Sequence, residues 1–250
     1  MKPYVHWILL GALLLPEAPL EPFRGLLPPS LAHPLGTDVL GRDALLRLGL
    51  AAARSLGFAT AVAHLGVACG LLLATGRGRF GEARSALRSA PPLLFLLPLA
   101  AAVGGLGWIA LGLLLSGLQG LHLEVPLRAR LEPVLGGPAW ASGRILGATP
   151  VQRARSWAPF LLAEGRCLLP SAWIGALWGE ATLSALGLGP GPGHDSLGRL
   201  LGEELPRLGT DPTPLGLAAL TVALALAWWS TGKDPHEPGR NEAALLQPPG

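Results

Sequence analysis

Long apolar stretches alternate with short polar stretches rich in glycine and proline along most of this chain, a pattern that predicts membrane-crossing helices. The first apolar run covers residues 4–15, after Lys2, and is followed by Pro16, Glu17 and Pro19, not by a small-x-small cleavage site. It is shorter than the roughly 20 residues that a crossing needs, and it reads as a truncated first helix with its natural start upstream. Residues 56–75 form the clearest span, interrupted only by His64. Arg77, Arg79, Glu82, Arg84 and Arg88 then make a charged loop. Residues 90–121 are uncharged; this run is too long for one straight crossing, and the Gly104-Gly105-Leu106-Gly107 cluster divides it into two helices. Residues 122–158 are polar and carry Pro126, Pro133, Pro138 and Pro150. A fifth helix is expected over 159–186, a Gly/Pro loop over 187–214, and a sixth helix over 215–229, closing on Trp228 and Trp229 at interface level. The expected fold is an all-α integral membrane protein with about six transmembrane helices.

Orientation follows from the cations. With a cytoplasmic N-terminus, Lys2, Arg77, Arg79, Arg84, Arg88, Arg128, Arg130, Arg144, Arg153, Arg155, Lys233 and Arg240 lie inside. Arg24, Arg42, Arg47, Arg54, Arg199 and Arg207 lie outside, and Arg166 falls within the fifth helix. This twofold bias satisfies the positive-inside rule with both termini cytoplasmic.

Composition narrows the classes further. Half of the residues are hydrophobic and 14% are charged, against about 25% in soluble domains. A net charge of +3 on scattered arginines does not suggest nucleic-acid binding. Cys69 and Cys167 fall in apolar runs and read as buried free thiols, with no spacing for a metal site. The G-x4-GK[ST] loop, HExxH and GxSxG are all absent, so no catalytic residue, resident metal or cofactor is assigned to this chain. Glu164 and Arg166 can snorkel from the inner end of the fifth helix, and His64 is placed to face a neighbouring helix.

Two blocks carry a family resemblance. The first is His33-Pro34-Leu35-Gly36-Thr37-Asp38, continuing through Gly41-Arg42-Asp43. The second is Glu180-Ala181-Thr182-Leu183-Ser184-Ala185-Leu186-Gly187-Leu188-Gly189, with Leu197-Gly198-Arg199-Leu200-Leu201 after it. The first resembles the HPLGTD–GRD signature of the C-type permease subunit of dipeptide and oligopeptide ABC importers. The second resembles that family's EASLSFLGLG segment and WGxML tail. In the first block Pro34 and Gly36 impose a turn, while Asp38, Arg42 and Asp43 can tie an outer loop to the following helix. Glu180 is expected to brace the loop at Gly187 and Gly189.

The same resemblance implies an ATPase-coupling loop within 136–158. Aligned on Ala141-Ser142-Gly143-Arg144-Ile145-Leu146-Gly147-Ala148-Thr149, the motif glycine falls on Gly147. Thr149, Pro150 and Gln152 read independently as N-cap, N1 and N3 of a new helix, and Gly147 as the left-handed end of the preceding one. The chain departs from the motif at Ala141, where the EAA triplet becomes Ala-Ser-Gly and loses its glutamate, and at Ala158-Pro159, where the LP pair comes one residue early.

The resemblance implies a type I ABC importer permease of the cell membrane for di- or oligopeptides or nickel. It divides the chain into 1–55 (first helix and outer signature segment), 56–230 (a five-helix core) and 231–250 (a polar cytoplasmic tail). Its partners would be a homologous B-type permease, two ABC ATPase subunits that carry the ATP and magnesium, an extracytoplasmic solute-binding protein and the bilayer, with no nucleic acid. The alternative is a polytopic membrane protein of another class, such as an intramembrane enzyme or assembly factor. An enzyme would require polar residues converging within the spans.

Overall fold

The computed structural model describes residues 10–16, 18–20, 25–75, 81–89, 91–105, 107–135, 137, 142, 145–189, 194–207, 213 and 215–222. Their regular structure is helical, with a single isolated bridge between Thr37 and Asp43. A 3-10 turn at Ala12–Leu14 precedes α1 (Ala44–Thr75), α2 (Gly81–Ser89), α3 (Pro92–Val103), α4 (Trp108–Leu135), α5 (Pro150–Ala185) and α6 (Leu197–Glu204). Residues 215–222 are also helical.

Three helices are long and apolar enough to cross a membrane, within Ala44–Thr75, Trp108–Pro133 and Arg155–Ala185. This fits a helical membrane protein, with three such helices among the described residues in place of the six expected. The apolar run 90–121 does break at Gly104, but unequally. Its first half, α3, has 12 residues and is about 18 Å long, well short of a hydrocarbon core of about 30 Å. Only the parts 10–15 and 215–222 of the two terminal apolar runs are described.

The long helices exceed their apolar runs. Asp43 starts α1 twelve residues before the uncharged stretch, its carboxylate accepting from the Leu46 backbone N–H at 2.8 Å. Arg47 and Arg54 are then tolerated inside α1 because their guanidinium groups reach acceptors. At the other end, α4 continues through Pro126 to Leu135, across sequence that reads as a loop. Leu123, Leu127 and Leu131 recur every four residues there and are all buried. α5 likewise starts at Pro150, not 159, and passes through Pro159 and Pro170.

The three long helices pack together along small residues. A Cβ added to Gly120 of α4 would lie 2.6 Å from Cys69 Cβ and 3.1 Å from the Gly70 nitrogen of α1. Such approach maximises van der Waals contact where no hydrophobic drive separates protein from lipid. Polar links cross the same interfaces. Trp173 Nε1 donates to Thr60 Oγ1 at 3.1 Å, and Gln119 Nε2 donates to the Ala172 carbonyl. His64 lies on the exposed side of α1, its Nδ1 2.7 Å from the Thr60 carbonyl. The cysteines differ from expectation, Cys69 being half-buried and Cys167 exposed.

Candidate functional site: a buried polar cap joining the two signature blocks

The two blocks, some 140 residues apart in sequence, meet at the N-terminal end of α1 and the C-terminal end of α5. Within the first, Asp38 organises the loop. Its Oδ1 accepts from the Leu40 and Arg42 backbone N–H groups at 2.9 Å each, and its Oδ2 accepts from Arg42 Nε at 2.7 Å. Gly36 and Gly41 take left-handed backbone conformations, and Thr37 Oγ1 accepts from the Leu27 N–H at 2.8 Å. Asp43, besides capping α1, lies 2.8 Å from His33 Nδ1. Burial works to raise the Asp43 carboxyl; the Leu46 N–H and His33 outweigh it, and the net shift is downward. Pro34 is exposed, and Leu35 packs against the apolar cluster of Ala44, Leu48, Leu197 and Leu200.

Arg47 carries the first block across to the second. Its side chain is 3% exposed. It grips Asp195 with two donors, Nη2 to Oδ1 at 2.9 Å and Nε to Oδ2 at 3.2 Å. Nη2 also reaches Glu203 at 2.7 Å, and Nη1 lies 3.3 Å from Asp38. Arg42 approaches Asp195 at 3.5 Å, and Arg199 donates to Glu203 at 2.8 Å. Burial alone would raise the Asp195 carboxyl; the Arg47 hydrogen bonds and charge, aided by Arg42 and Arg199, hold it below the ordinary range. Glu203 is shifted the same way, burial being outweighed by Arg199 and Arg47.

Below this charged layer lies Glu180, with no exposed surface. Its Oε2 accepts from Ser55 Oγ of α1 at 2.9 Å, and its Oε1 accepts from Ser184 Oγ at 2.7 Å. Ser55 Oγ in turn accepts from the Leu197 N–H at 3.0 Å, at the start of α6. Glu180 therefore braces α1, α5 and α6 together, a wider role than supporting the Gly187–Gly189 turn. Gly198 permits the contact: a Cβ there would lie 2.6 Å from the Ala181 Cα. Leu183, Ser184 and Gly189 are buried in this corner, while Leu186 and Gly187 lie exposed at the turn that ends α5.

The arrangement is suited to holding helices in register. Each buried charge has an opposite charge or hydrogen-bond donor, and no group of three or more His, Cys, Asp or Glu among the described residues could hold a metal ion. Sequence reading had singled out Asp38, Arg42, Glu180 and Ser184 but missed Arg47, Ser55, Asp195, Ser196 and Glu203. The available signal was polar residues at the margins of apolar runs, Arg47 four residues after Asp43 and Asp195 beside a helix-capping Ser196.

The proposed coupling loop lies apart from this cap. Ala141, Gly143 and Arg144 fall outside the described residues. Ser142 and Ile145 are helical, and the Leu146 N–H donates to the Ser142 carbonyl at 2.9 Å. Gly147 ends that turn with φ 74°. Ala148 links it to Thr149, whose side chain accepts from the Gln152 N–H at 3.2 Å while Gln152 Oε1 accepts from the Thr149 N–H at 2.9 Å. Ile145 and Leu146 project outward, 84% and 83% exposed. A further buried carboxylate, Glu124 of α4, is ringed by Arg88 at 2.7 Å, Arg84 at 2.9 Å and Arg128 at 3.1 Å. It ties α2 to α4. Glu164 pairs with Arg130 of α4 at 3.4 Å, and Arg166 is exposed.

No protein-family model matches this chain, and no curated protein matches it.

Proposed function

We propose that this chain is a membrane-spanning permease subunit of an ATP-driven ABC importer, most simply one for di- or oligopeptides. The observation that carries the reading is the meeting of the two signature-like blocks at one corner of the fold, where Arg47 joins Asp38 to Asp195 and Glu203, Glu203 pairs with Arg199, and Ser55 joins Glu180 to Leu197. Chance resemblance of two short segments carries no requirement that they interlock. The reading places the three long helices across the bilayer as this chain's part of the substrate path. A homologous B-type permease would complete the substrate path, and a solute-binding protein would dock on the outer side of the polar cap. ATP would be hydrolysed on two partner subunits.

The turn ending at Gly147 supplies the mechanical link. A helical turn and the capped start of α5 meet at a left-handed glycine, so the exposed Ile145 and Leu146 stand on a stiff elbow joined directly to a membrane helix. A push on the elbow would move α5 and, through Glu180, the cap. ATP drives the switch only by binding one state of the ATPase dimer better than the other.

Gly147→Val tests the link. A β-branched residue is strained at positive φ, yet no atom of the described residues stands within 4 Å of the added Cβ, so the effect is expected to stay in the elbow. The variant should insert with unchanged helix content and lose ATPase-subunit binding in a pull-down from co-expressing cells. Undiminished binding would remove the elbow from the mechanism.

A further inference from the structure

A cavity of about 570 Å³ lies on the side of the bundle, between the N-terminal turn, α1 and α4. That is within the range of ligand pockets, about 300–1,000 Å³. Its wall is apolar, with Leu13, Phe58, Val62 and Trp108 prominent, and Arg54 is one of few polar residues in it. Arg54 is 4% exposed. Its Nη2 donates to the Leu15 carbonyl at 2.8 Å, while its Nη1 is buried and donates to nothing among the described residues. The other buried arginine among the described residues, Arg47, meets three carboxylates. A guanidinium cannot shed its charge to escape burial, so this one calls for an anion.

The lining also shows from which side that anion arrives. Leu65, Ile109 and Leu113 line the cavity and are 48%, 80% and 63% exposed, on two helices that can span a membrane. The cavity therefore opens sideways onto apolar surface. We propose that it is a lipid site: an acyl chain lies along Phe58, Val62 and Trp108, and an anionic headgroup pairs with the Arg54 guanidinium at the cavity wall. The occupant is an anionic phospholipid, which the surrounding bilayer supplies in quantity on this side. The assignment needs only the membrane placement and is independent of the importer reading.

Trp108 reports on the site, since it lines the cavity and packs against Phe58 in a tilted arrangement with ring centroids 4.9 Å apart. The test uses the full chain in detergent, titrated with phosphatidylglycerol brominated on its acyl chains; subtracting the Trp108→Phe variant isolates the Trp108 signal. Quenching should be saturable and roughly tenfold or more weaker with brominated diacylglycerol, which has no anionic oxygen, the size of one charge-assisted hydrogen bond. Arg54→Gln should erase that preference. Ala61→Phe, which fills the cavity and leaves Arg54 in place, should remove the saturable phase even if Arg54→Gln fails to fold. Equal quenching of the wild-type chain by both lipids, or retained preference in Arg54→Gln, would overturn the proposal. Tighter binding of a brominated fatty acid than of phosphatidylglycerol would overturn the phospholipid assignment.

Discussion

Arg47→Ala should destabilise the protein by about 3–5 kcal/mol, the cost of removing one partner from a buried charge network. The residue is almost completely buried and meets Asp38, Asp195 and Glu203. Alanine leaves Asp38 with Arg42 and Asp195 with only the more distant Arg42 and Arg199, and it removes the charged tie between α6 and α1. A thermal shift in detergent measures the loss, and a double-mutant cycle with Asp195→Ala separates the pairwise coupling from cavity effects. Acid should reproduce part of it. The Asp195 and Glu203 carboxyls titrate below their ordinary values in the fold, so their contribution is fully present above about pH 4 and fades as pH falls through the lowered folded values. In Arg47→Ala that acid sensitivity should shrink. A variant as stable as the wild-type chain, with the same acid profile, would show that the network is solvated and not a structural joint.

Glu180→Ala is the second large effect expected. Truncation removes the acceptor of Ser55 Oγ and Ser184 Oγ in a corner with no exposed surface. Ser184 lies one helical turn after Glu180 and can turn to the carbonyl of residue 180, but Ser55 loses its acceptor across the helix interface. An unpaired buried donor costs about 1–3 kcal/mol, and the cavity left by the side chain adds to it. The specific readout is hydrogen exchange at the Leu197 amide, which donates to Ser55 Oγ. It should exchange faster in Glu180→Ala, with less change in Glu180→Gln, which keeps an acceptor oxygen. Unaltered Leu197 exchange would mean that Ser55 alone positions α6.

These residues show where the sequence was readable. The helical class and the central parts of α1, α4 and α5 follow from apolar runs, and the capping box at Thr149 follows from residue spacing alone. The ends of the helices were misjudged because hydropathy marks charge as loop, whereas charges that find partners extend a helix. Glu124 and Arg128 sit in α4 for this reason, and Arg47 in α1. Among the described residues α3 falls short of a span because glycines divide an apolar run of sufficient total length unequally. α6 was hidden in a Gly/Pro-rich stretch, because its short amphipathic face has meaning only against Ala44, Leu48 and Ala51. Asp38, Arg42 and Glu180 were legible as local motif residues, but their common network depends on Arg47, Ser55 and Asp195, which join them through space.

The importer assignment is tested most directly by isolating the tagged full chain from its own cell membranes in mild detergent and identifying what stays bound. The account predicts one homologous permease and two ABC ATPase subunits in stoichiometric amounts, with ATP hydrolysis that disappears when those ATPase subunits are stripped away. Recovery of the chain alone, or with partners that include no ATPase, would contradict it.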